Sequence, residues 1–365
     1  MKKSRALPGL MIVGGVWLLL AVWCWVKPAE EISKSERRKL AGFPEIGAEE
    51  VLSGKFAQDF NEYSTDQFPL RDGFRTLKSL SVYYLFGQKD NHGIYLEDGC
   101  AAKIEYPLDE ASVEGAAEKL TKLYNLYMKD SAGQVYLSVI PDKGYYLAER
   151  GGYPSMDYGQ LFSIMENNMD FAEYLDLTAY LSEDDYYRTD VHWRQEKIMD
   201  AAEFLAQSMG GQLSEAYWAE QVKDDFRGVY SGQAALPLEG ESLSVVHSRA
   251  IDGCGVYSLE TGRTAGIYDL EKLEGRDPYD VYLSGASPLL RITNPQYEGE
   301  RRLVLFGDSF SSSMAPLLAG AYSEITLVDI RYMDSGLVGE YVDFENADVL
   351  FMYSTLLLNS SEAMK

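Results

Sequence analysis

The sequence predicts an α/β domain with a mostly parallel sheet, preceded by one N-terminal membrane-spanning helix. From residue 109 onward, short apolar runs rich in strand-forming residues alternate with helical patterns, and this alternation is typical of parallel sheets. Near the N-terminus, residues 10–26 form an uncharged apolar run of 17 residues, which is close to the length that crosses a bilayer. The 365-residue chain is long enough for one large or two modest domains.

The N-terminal run has the features of an uncleaved signal-anchor. The residues before it include no acidic side chain and three basic ones: Lys2, Lys3 and Arg5. Because basic flanks stay on the cytoplasmic side, the rest of the chain is predicted to lie outside the cell. Small residues that would mark a cleavage site are not well placed, and the bulky Trp23 before Cys24 argues against a lipoprotein. We therefore predict a cytoplasmic tail and a single-pass anchor over residues 1–26.

The composition argues against a nucleic-acid partner and does not decide whether the chain has a disulfide. The chain has 33 Lys and Arg against 57 Asp and Glu, a net charge of -24, and the part after the anchor has 30 against 57, or -27. Such an acidic chain lacks the basic surface typical of a nucleic-acid-binding protein, so no nucleic-acid partner is predicted. Three cysteines are too few for a disulfide framework, and the sequence does not decide whether Cys100 and Cys254 pair.

Residues 27–90 are predicted to be a charged linker followed by a helical segment. Two helical patterns occur in it, and Pro69 forces a break between them. The first pattern carries the apolar stripe Val51, Leu52, Phe56 and Phe60, and the second carries Phe74, Leu77, Leu80, Tyr84 and Leu85. Each stripe predicts an amphipathic helix.

The predicted α/β domain spans residues 91–365 and begins with a hairpin over residues 93–100, with Asp98-Gly99 in its turn. The next elements are predicted as a helix over 109–130, a strand over 135–140, a helix over 161–169, a strand over 171–177 and a helix over 194–209. Many glycines and prolines between residues 222 and 300 predict a loop-rich insertion. Short β-like pieces inside it, and two later strands, are predicted at 243–247, 279–283, 324–330 and 348–353.

One strand–turn–helix pattern holds a candidate nucleophile. An apolar run breaks at Gly307-Asp308-Ser309, and serines that can cap a helix follow. Ser309 is thereby predicted at the carboxyl end of a strand, where open α/β sheets bind their ligands. Backbone N–H groups of the helix could face an oxyanion beside it. The alternative is that these serines only cap the helix.

A base for Ser309 is available at His192. Asp190 precedes His192 by two residues, and such residues point to the same side of an extended segment. Asp190 would hold the Nδ1 proton of His192, and Nε2 could then take the proton of Ser309, as in a Ser-His-Asp triad. Alone, an Asp-x-His pattern is more often a surface turn or a packed histidine than part of a triad.

Three further side chains are candidates to surround this site. Trp193 lies beside the Asp-His pair and could exclude water, whereas Arg331 and Tyr332 follow the next strand and could line the pocket. A salt bridge and a packed aromatic ring would explain the last two equally well. The histidines, His92, His192 and His247, are too scattered to support a metal site, and no cofactor is predicted.

Several motifs resemble those of the DHHW family, a group of Gram-positive surface proteins. They are Arg38-Lys39-Leu40-Ala41-Gly42-Phe43-Pro44, Asp66-Gln67-Phe68-Pro69-Leu70-Arg71-Asp72, Thr189-Asp190-Val191-His192-Trp193, Gly307-Asp308-Ser309-Phe310 and Asp329-Ile330-Arg331-Tyr332. The family is similar to the SGNH hydrolase-like domain of the alginate O-acetyltransferase family. The resemblance covers nearly all of the chain after the anchor and implies a flavodoxin-like three-layer sandwich outside the membrane.

The same resemblance implies a function. Ser309 would be the nucleophile, His192 the base and Asp190 the residue that orients the base. Acetyl groups would pass through an acetyl-serine to a cell-surface polysaccharide, with a membrane-bound O-acyltransferase as the partner that supplies them. The sequence leaves two alternatives open: an acetyl esterase acting on surface glycans, and a catalytically weak glycan-binding or scaffold protein of a surface-assembly complex.

Two positions depart from the family pattern. Val191 replaces a histidine, and in an extended strand it would point away from the Asp-His pair. Ala286 stands where the family has an asparagine that resembles the oxyanion-hole asparagine of SGNH enzymes. Losing one such donor costs roughly a hundred- to a thousandfold in rate. Gly285, Ser287 and Asn294 are the candidates to replace it.

Overall fold

The computed structural model describes residues 6–213 and 216–365, and the chain divides into two compact units. The first unit comprises Met1–His92 and Ser231–Pro237, and the second comprises Gly93–Tyr230 and Leu238–Lys365. Residues 1–5, which include the basic side chains of the predicted cytoplasmic tail, lie outside the described residues.

The first unit begins with the apolar helix α1 (Ala6–Val26). Residues Pro8–Val26 have a mean hydropathy of 2.2 and are long and apolar enough to cross a membrane, as an anchor or a signal sequence. The elements that follow are β1 (Ile32–Ser33), β2 (Arg38–Lys39), α2 (Ala48–Leu52), α3 (Lys55–Asp66), α4 (Arg71–Leu80), a π-helical turn (Ser81–Leu85) and β3 (Asp90–Asn91). Both amphipathic patterns of this region lie in helices, but the first is divided between α2 and α3 at Ser53-Gly54, where Gly54 has a φ of 82°, whereas the second continues from α4 into the π-helical turn.

The second unit alternates strands and helices. Its strands are β4 (Ile94–Glu97), β5 (Cys100–Lys103), β6 (Val135–Ile140), β7 (Glu173–Tyr174), β8 (Trp218–Phe226), β9 (Glu241–His247), β10 (Gly255–Ser258), β11 (Arg263–Ala265), β12 (Leu289–Thr293), β13 (Arg302–Gly307), β14 (Glu324–Val328) and β15 (Asp348–Ser354). Its helices are α5 (Glu110–Leu123), α6 (Gly144–Gly151), α7 (Tyr158–Asn168), α8 (Met199–Ser208), α9 (Val229–Ala234, which contains the unit boundary), α10 (Arg249–Gly253), α11 (Ser311–Leu318), α12 (Val338–Tyr341) and α13 (Thr355–Leu358). Cys100 and Cys254 are free thiols.

Eight strands form the main sheet, in the order β11-β10-β12-β14-β13-β15-β6-β7. The strands from β14 to β7 run parallel to one another, and β12, β10 and β11 continue the sheet with antiparallel pairing. The predicted mostly parallel α/β sheet is therefore confirmed. The segment 222–300 supplies three of the eight strands, which its loop-rich composition did not suggest.

The sheet is covered on both faces. In β13, Leu303 and Leu305 point into one buried cluster with α8 and α11, whereas Val304 and Phe306 point into another with α5 and α7. Alternate residues of a strand face opposite sides of its sheet, so both faces of β13 are apolar. The architecture is a three-layer α/β/α sandwich, as the sequence resemblance implied.

One predicted strand is wrong. Residues 279–283 were expected to be β-like because of their tyrosines and valine, but Pro278–Val281 form a 3-10 turn. Asp277 accepts a hydrogen bond from the Tyr279 N–H, and Pro278 occupies the first position of the turn. Both features favour the start of a helical turn over a strand.

Candidate active site

The turn after β13 is held tightly and presents Ser309 half-buried. The Asp308 carboxylate accepts hydrogen bonds from the Phe310 N–H at 3.1 Å and from the Ser354 N–H and hydroxyl at 2.9 and 2.6 Å. A Cβ on Gly307 would come within 2.8 Å of the Met352 carbonyl oxygen, so glycine permits the close approach of β15. Asp308 is therefore occupied in fixing the turn that carries Ser309.

His192 reaches Ser309 from a loop 117 residues earlier in the chain, at 2.8 Å between Nε2 and Oγ. Its Nδ1 lies 2.6 Å from Oδ1 of Asp190, which is fully buried. The structure thus brings the three predicted residues into one hydrogen-bonded chain. At these distances a base can accept the hydroxyl proton while the carboxylate holds the other side of the ring.

The local geometry of the Asp-His pair differs from the extended segment expected from the sequence. Asp190 Oδ1 also accepts the His192 backbone N–H at 3.1 Å, which closes a tight turn between the bridged residues Tyr186 and Trp193. Aspartate side chains commonly bond the backbone two residues on in this way. Val191 packs against the core cluster that contains α8 and α11, so its apolar side chain fits the position.

The second oxygen of Asp190 is fixed by the first residue of α9. Its Oδ2 accepts the Val229 N–H at 2.9 Å, and Thr189 Oγ1 accepts the Gly228 N–H at the same distance. A Cβ on Gly228 would lie 2.3 Å from the Asp190 Cα, so only glycine allows this approach. A buried carboxylate that accepts several hydrogen bonds keeps one orientation, and the orientation of the His192 ring follows from it.

An aromatic wall holds the imidazole. Tyr279 stacks on the His192 ring with centroids 3.9 Å apart and planes 8° apart. The Tyr279 hydroxyl and the Trp193 Nε1–H both contact Ser313 Oγ, each at 2.8 Å. Burial raises the pKa of Tyr279 well above its usual range, so its hydroxyl stays protonated. Sequence reasoning missed Tyr279, because it lies in the segment taken for a strand.

Arg331 lies beyond the end of β14, the strand next to β13. Its guanidinium donates to Asp329 at 2.6 to 3.1 Å and lies 5.4 Å from the Tyr332 ring centroid, and Tyr332 is exposed. Burial lowers the pKa of Arg331, but the bonds to Asp329 and the charge of nearby Asp308 outweigh it and raise the pKa overall. Arg331 is therefore ion-paired with Asp329 after the strand that neighbours β13.

The loop before β12 contains Ala286, the position at which the family has an asparagine. Because β12 is antiparallel to β14 and Leu289 pairs with Val328, this loop lies at the carboxyl edge of the parallel strands. Ala286 is exposed, the Gly285 N–H donates to the Tyr282 carbonyl at 3.1 Å, and Ser287 Oγ donates to the Leu289 carbonyl at 3.4 Å. Gly285 and Ser287 thus use their donors within the loop.

Asn294 lies at the opposite edge of the sheet. Thr293, the residue before it, pairs with Glu324 at the start of β14. The Asn294 amide donates to the Ala319 carbonyl at 2.9 Å and its oxygen accepts the Gln296 N–H at 3.0 Å. The structure therefore does not bring Asn294 together with Ser309, and its amide is already used to fix a loop. Asn294 is not retained as an oxyanion donor.

No protein-family model and no curated protein sequence matches the chain. Among solved structures, it is similar to a DHHW family protein from Eubacterium siraeum, at 20% identity and a TM-score of 0.61 over 75% of this chain and 94% of that chain. It is also similar to Bacillus cereus PatB1 carrying a sulfonyl adduct, at 17% identity and a TM-score of 0.56 over 73% of this chain and 95% of that chain. The expected resemblance in fold to a DHHW family protein is confirmed.

Proposed function

We propose that the chain is a serine-dependent O-acetyltransferase that acts on a cell-surface polysaccharide. The observation that carries this proposal is the hydrogen-bonded chain from Asp190 through His192 to Ser309, at the carboxyl edge of a parallel sheet. A serine hydroxyl is a poor nucleophile without such a base, and a positioned imidazole supplies one at neutral pH.

The first half of the reaction forms an acetyl-serine. Ser309 Oγ attacks the acetyl carbonyl carbon of a donor ester while its proton passes to Nε2 of His192. The Asp190 carboxylate accepts the hydrogen bond from Nδ1–H of His192 and stabilises the imidazolium. The tetrahedral intermediate then collapses, the donor oxygen leaves with the proton from Nε2, and the acetyl group remains on Ser309.

The second half transfers the acetyl group to the glycan. A sugar hydroxyl attacks the acetyl-Ser309 carbonyl carbon and gives its proton to His192 Nε2. As the intermediate collapses, that proton returns to Ser309 Oγ and the O-acetylated sugar leaves. Water in place of the sugar hydroxyl would give hydrolysis, so the outcome depends on how well the site excludes water after acylation.

The Ser309 N–H is the first candidate to stabilise the oxyanion. It precedes α11, and among the described residues it donates no hydrogen bond to another protein group. Ala286 offers no side-chain donor, which favours a slower enzyme than one with an asparagine there, by roughly a hundred- to a thousandfold. We assign Arg331 and Tyr332 to substrate binding. Trp193, which is fully buried, holds the turn that carries Ser309.

The proposal also includes a place in the cell. Helix α1 would anchor the chain in the cell membrane with the second unit outside, supported by its length and hydropathy. Acetyl-CoA is not found outside the cell, so a membrane-bound O-acyltransferase partner would supply the acetyl group. The motif resemblance supports this partner.

The test is acetyl transfer by the purified full chain. A chromogenic acetyl ester is supplied with an oligosaccharide, ester cleavage is followed by colour, and the sugar is then weighed by mass spectrometry. Ser309→Ala should abolish both signals, whereas Ser312→Ala, in the first turn of α11, should retain them. Equal activity in the two variants would remove Ser309 as nucleophile.

Two other outcomes would select the alternatives. Ester cleavage by the wild-type chain with no acetyl on the sugar would indicate an esterase. A wild-type chain that neither cleaves the ester nor reacts with a serine-directed phosphonate would indicate a glycan-binding protein, which the missing asparagine at Ala286 favours.

A further inference from the structure

Helix α4 of the first unit buries its polar side. Arg75 donates to the Gly232 carbonyl at 2.9 Å, and the buried Ser79 hydroxyl donates to the Ala234 carbonyl at 2.6 Å. Asn91 donates in turn to the Ser79 oxygen at 2.7 Å. The side of α4 that packs within the unit is therefore held by hydrogen bonds to backbone carbonyls.

The apolar side of the same segment is exposed. Phe74 and Leu77 on α4 expose 47% and 61% of their surface, and Tyr84 and Leu85 on the π-helical turn expose 77% and 74%. A surface helix in water shows the reverse order, with its apolar side inside. We name this exposed set the α4 face: Leu70, Phe74, Leu77, Tyr84 and Leu85. A continuous apolar face of this kind marks an interaction surface.

The α4 face continues toward the apolar helix α1. A cavity of about 1170 Å³ is lined by Trp17 and Leu20 of α1 together with Phe60 of α3 and Phe74 of α4. Because α1 is long and apolar enough to cross a membrane, one wall of this cavity belongs to a membrane-spanning segment. When α1 is in a bilayer, the cavity opens where acyl chains and headgroups meet.

Basic side chains border the same cavity. Lys27, Arg71, Arg75 and Lys78 line it with Glu36 as its one acidic residue, although the whole chain carries a net charge of -24. Three of these four cations are already paired: Arg71 and Arg75 with Glu36 at 2.6 and 3.1 Å and with Asp72 at 3.6 and 3.7 Å, and Lys27 with Glu30 at 2.8 Å. The Nζ of Lys78 lies 3.2 Å from Nε2 of His92, and Lys78 forms no ion pair with a carboxylate among the described residues. A cation next to an apolar wall matches a phospholipid, which has a phosphate at one end and acyl chains at the other.

We propose that the α4 face rests in the outer leaflet of the bilayer that α1 crosses. Phospholipid acyl chains occupy the cavity between α1 and α4, and a headgroup phosphate lies at Lys78. The first unit is then an interfacial membrane-binding module in addition to an anchor. The inference rests on the exposed apolar face beside α1 and on Lys78, and it is independent of the proposed acetyl transfer.

The test places a nitroxide spin label on the full chain in vesicles of phosphatidylcholine and phosphatidylglycerol. Leu77→Cys carries the label in a background with Cys24→Ser and Cys100→Ser. Asp72→Cys is the matched control, because Asp72 is on the same helix and its side chain is also 61% exposed. Collisions with oxygen, which partitions into lipid, are compared with collisions with a water-soluble nickel chelate.

The label at Leu77 should meet oxygen several-fold more often, relative to the nickel chelate, than the label at Asp72. Leu85→Cys should behave like Leu77→Cys, which guards against a local effect of one substitution. Equal ratios at Leu77 and Asp72 would overturn the proposal because the face would then lie in water. A label at Leu77 shielded from both reagents would also overturn it, since a second copy or another protein would then cover the face.

The contact of Lys78 with a headgroup is tested in the same system. Lys78→Glu, combined with the label at Leu77, should shift the collision ratio toward the nickel chelate, because a carboxylate repels lipid phosphates. An unchanged ratio would overturn the assignment of phosphates to Lys78 and leave only the apolar contact.

Discussion

The two units treat similar apolar stripes in opposite ways. In the second unit, helix α5 buries Val113, Leu120 and Leu123 completely against the sheet. In the first unit, helix α4 turns Phe74 and Leu77 outward and packs through Arg75 and Ser79. Helical periodicity therefore identifies which residues share a face, but it does not identify the medium that the face meets.

Polar groups show the same contrast. The second unit places the half-buried Ser309 at a strand end beside the buried His192, on an otherwise apolar scaffold. In the first unit, charged side chains form ion pairs within the unit. One of them joins Arg38 to the buried Asp66 at 2.5 Å. Hydrogen bonding from Arg38 lowers the pKa of Asp66, so the stability from this pair is present above the usual carboxyl pKa and lost in strong acid.

The largest expected effect separates catalysis from membrane contact. Asp190→Asn would place an amide beside Nδ1 and favour the wrong tautomer of His192. We expect kcat on an acetyl ester to fall about ten-thousandfold, with no change in the collision ratio of a label at Leu77. A fall of less than tenfold would show that Asp190 does not orient the base.

The next prediction compares how much a leucine of α5 and a leucine of the α4 face each contribute to stability. Leu120→Ala should lower the free energy of unfolding by about 2–5 kcal/mol, because it leaves a cavity in the core. Leu77→Ala should change it by less than about 0.5 kcal/mol in detergent, because no packed core surrounds that residue. Denaturant titrations followed by circular dichroism would measure both. Similar costs would mean that the α4 face is buried, contrary to the comparison.

The smallest effect concerns a buried cation of the second unit. Lys143 Nζ donates to the carbonyls of Ala101 and Tyr187, and burial lowers its pKa from 10.5 to about 8. Between those pH values the unfolded chain binds more protons at this position than the folded chain, so the contribution of Lys143 to stability rises with pH.

Lys143→Met should remove the part of the stability that rises with pH because of Lys143. The difference in unfolding free energy between wild type and variant should change by about 3 kcal/mol between pH 8 and pH 10.5. Parallel curves for wild type and Lys143→Met would contradict the assigned burial effect.

Much of the second unit follows from local sequence patterns. The apolar run before Gly307 predicts strand β13, and the serines after it predict α11, because strand and helix signals are short-range. The order of the strands in the sheet was harder to predict from the sequence. Strands β10, β11 and β12 pair with distant partners, and nothing within residues 222–300 reveals those pairings.

The surroundings of the candidate site were only partly predictable. Ser309, His192 and Asp190 could be proposed together because their residue types fit one mechanism. Tyr279 could not, since stacking on His192 depends on a turn that starts at Pro278 and was taken for a strand. Asn294 was proposed from its residue type alone, and the antiparallel direction of β12 places it at the far edge.

The most direct test of the central claim is the site of acetylation in the protein itself. The full chain is mixed with an acetyl ester, quenched in acid, digested and mapped by mass spectrometry. We predict an acetyl group on the peptide that contains Ser309, its absence in Ser309→Ala, and its strong reduction in His192→Ala. Acetyl that persists at the same level in Ser309→Ala, or that is found only on other residues, would contradict the proposed mechanism.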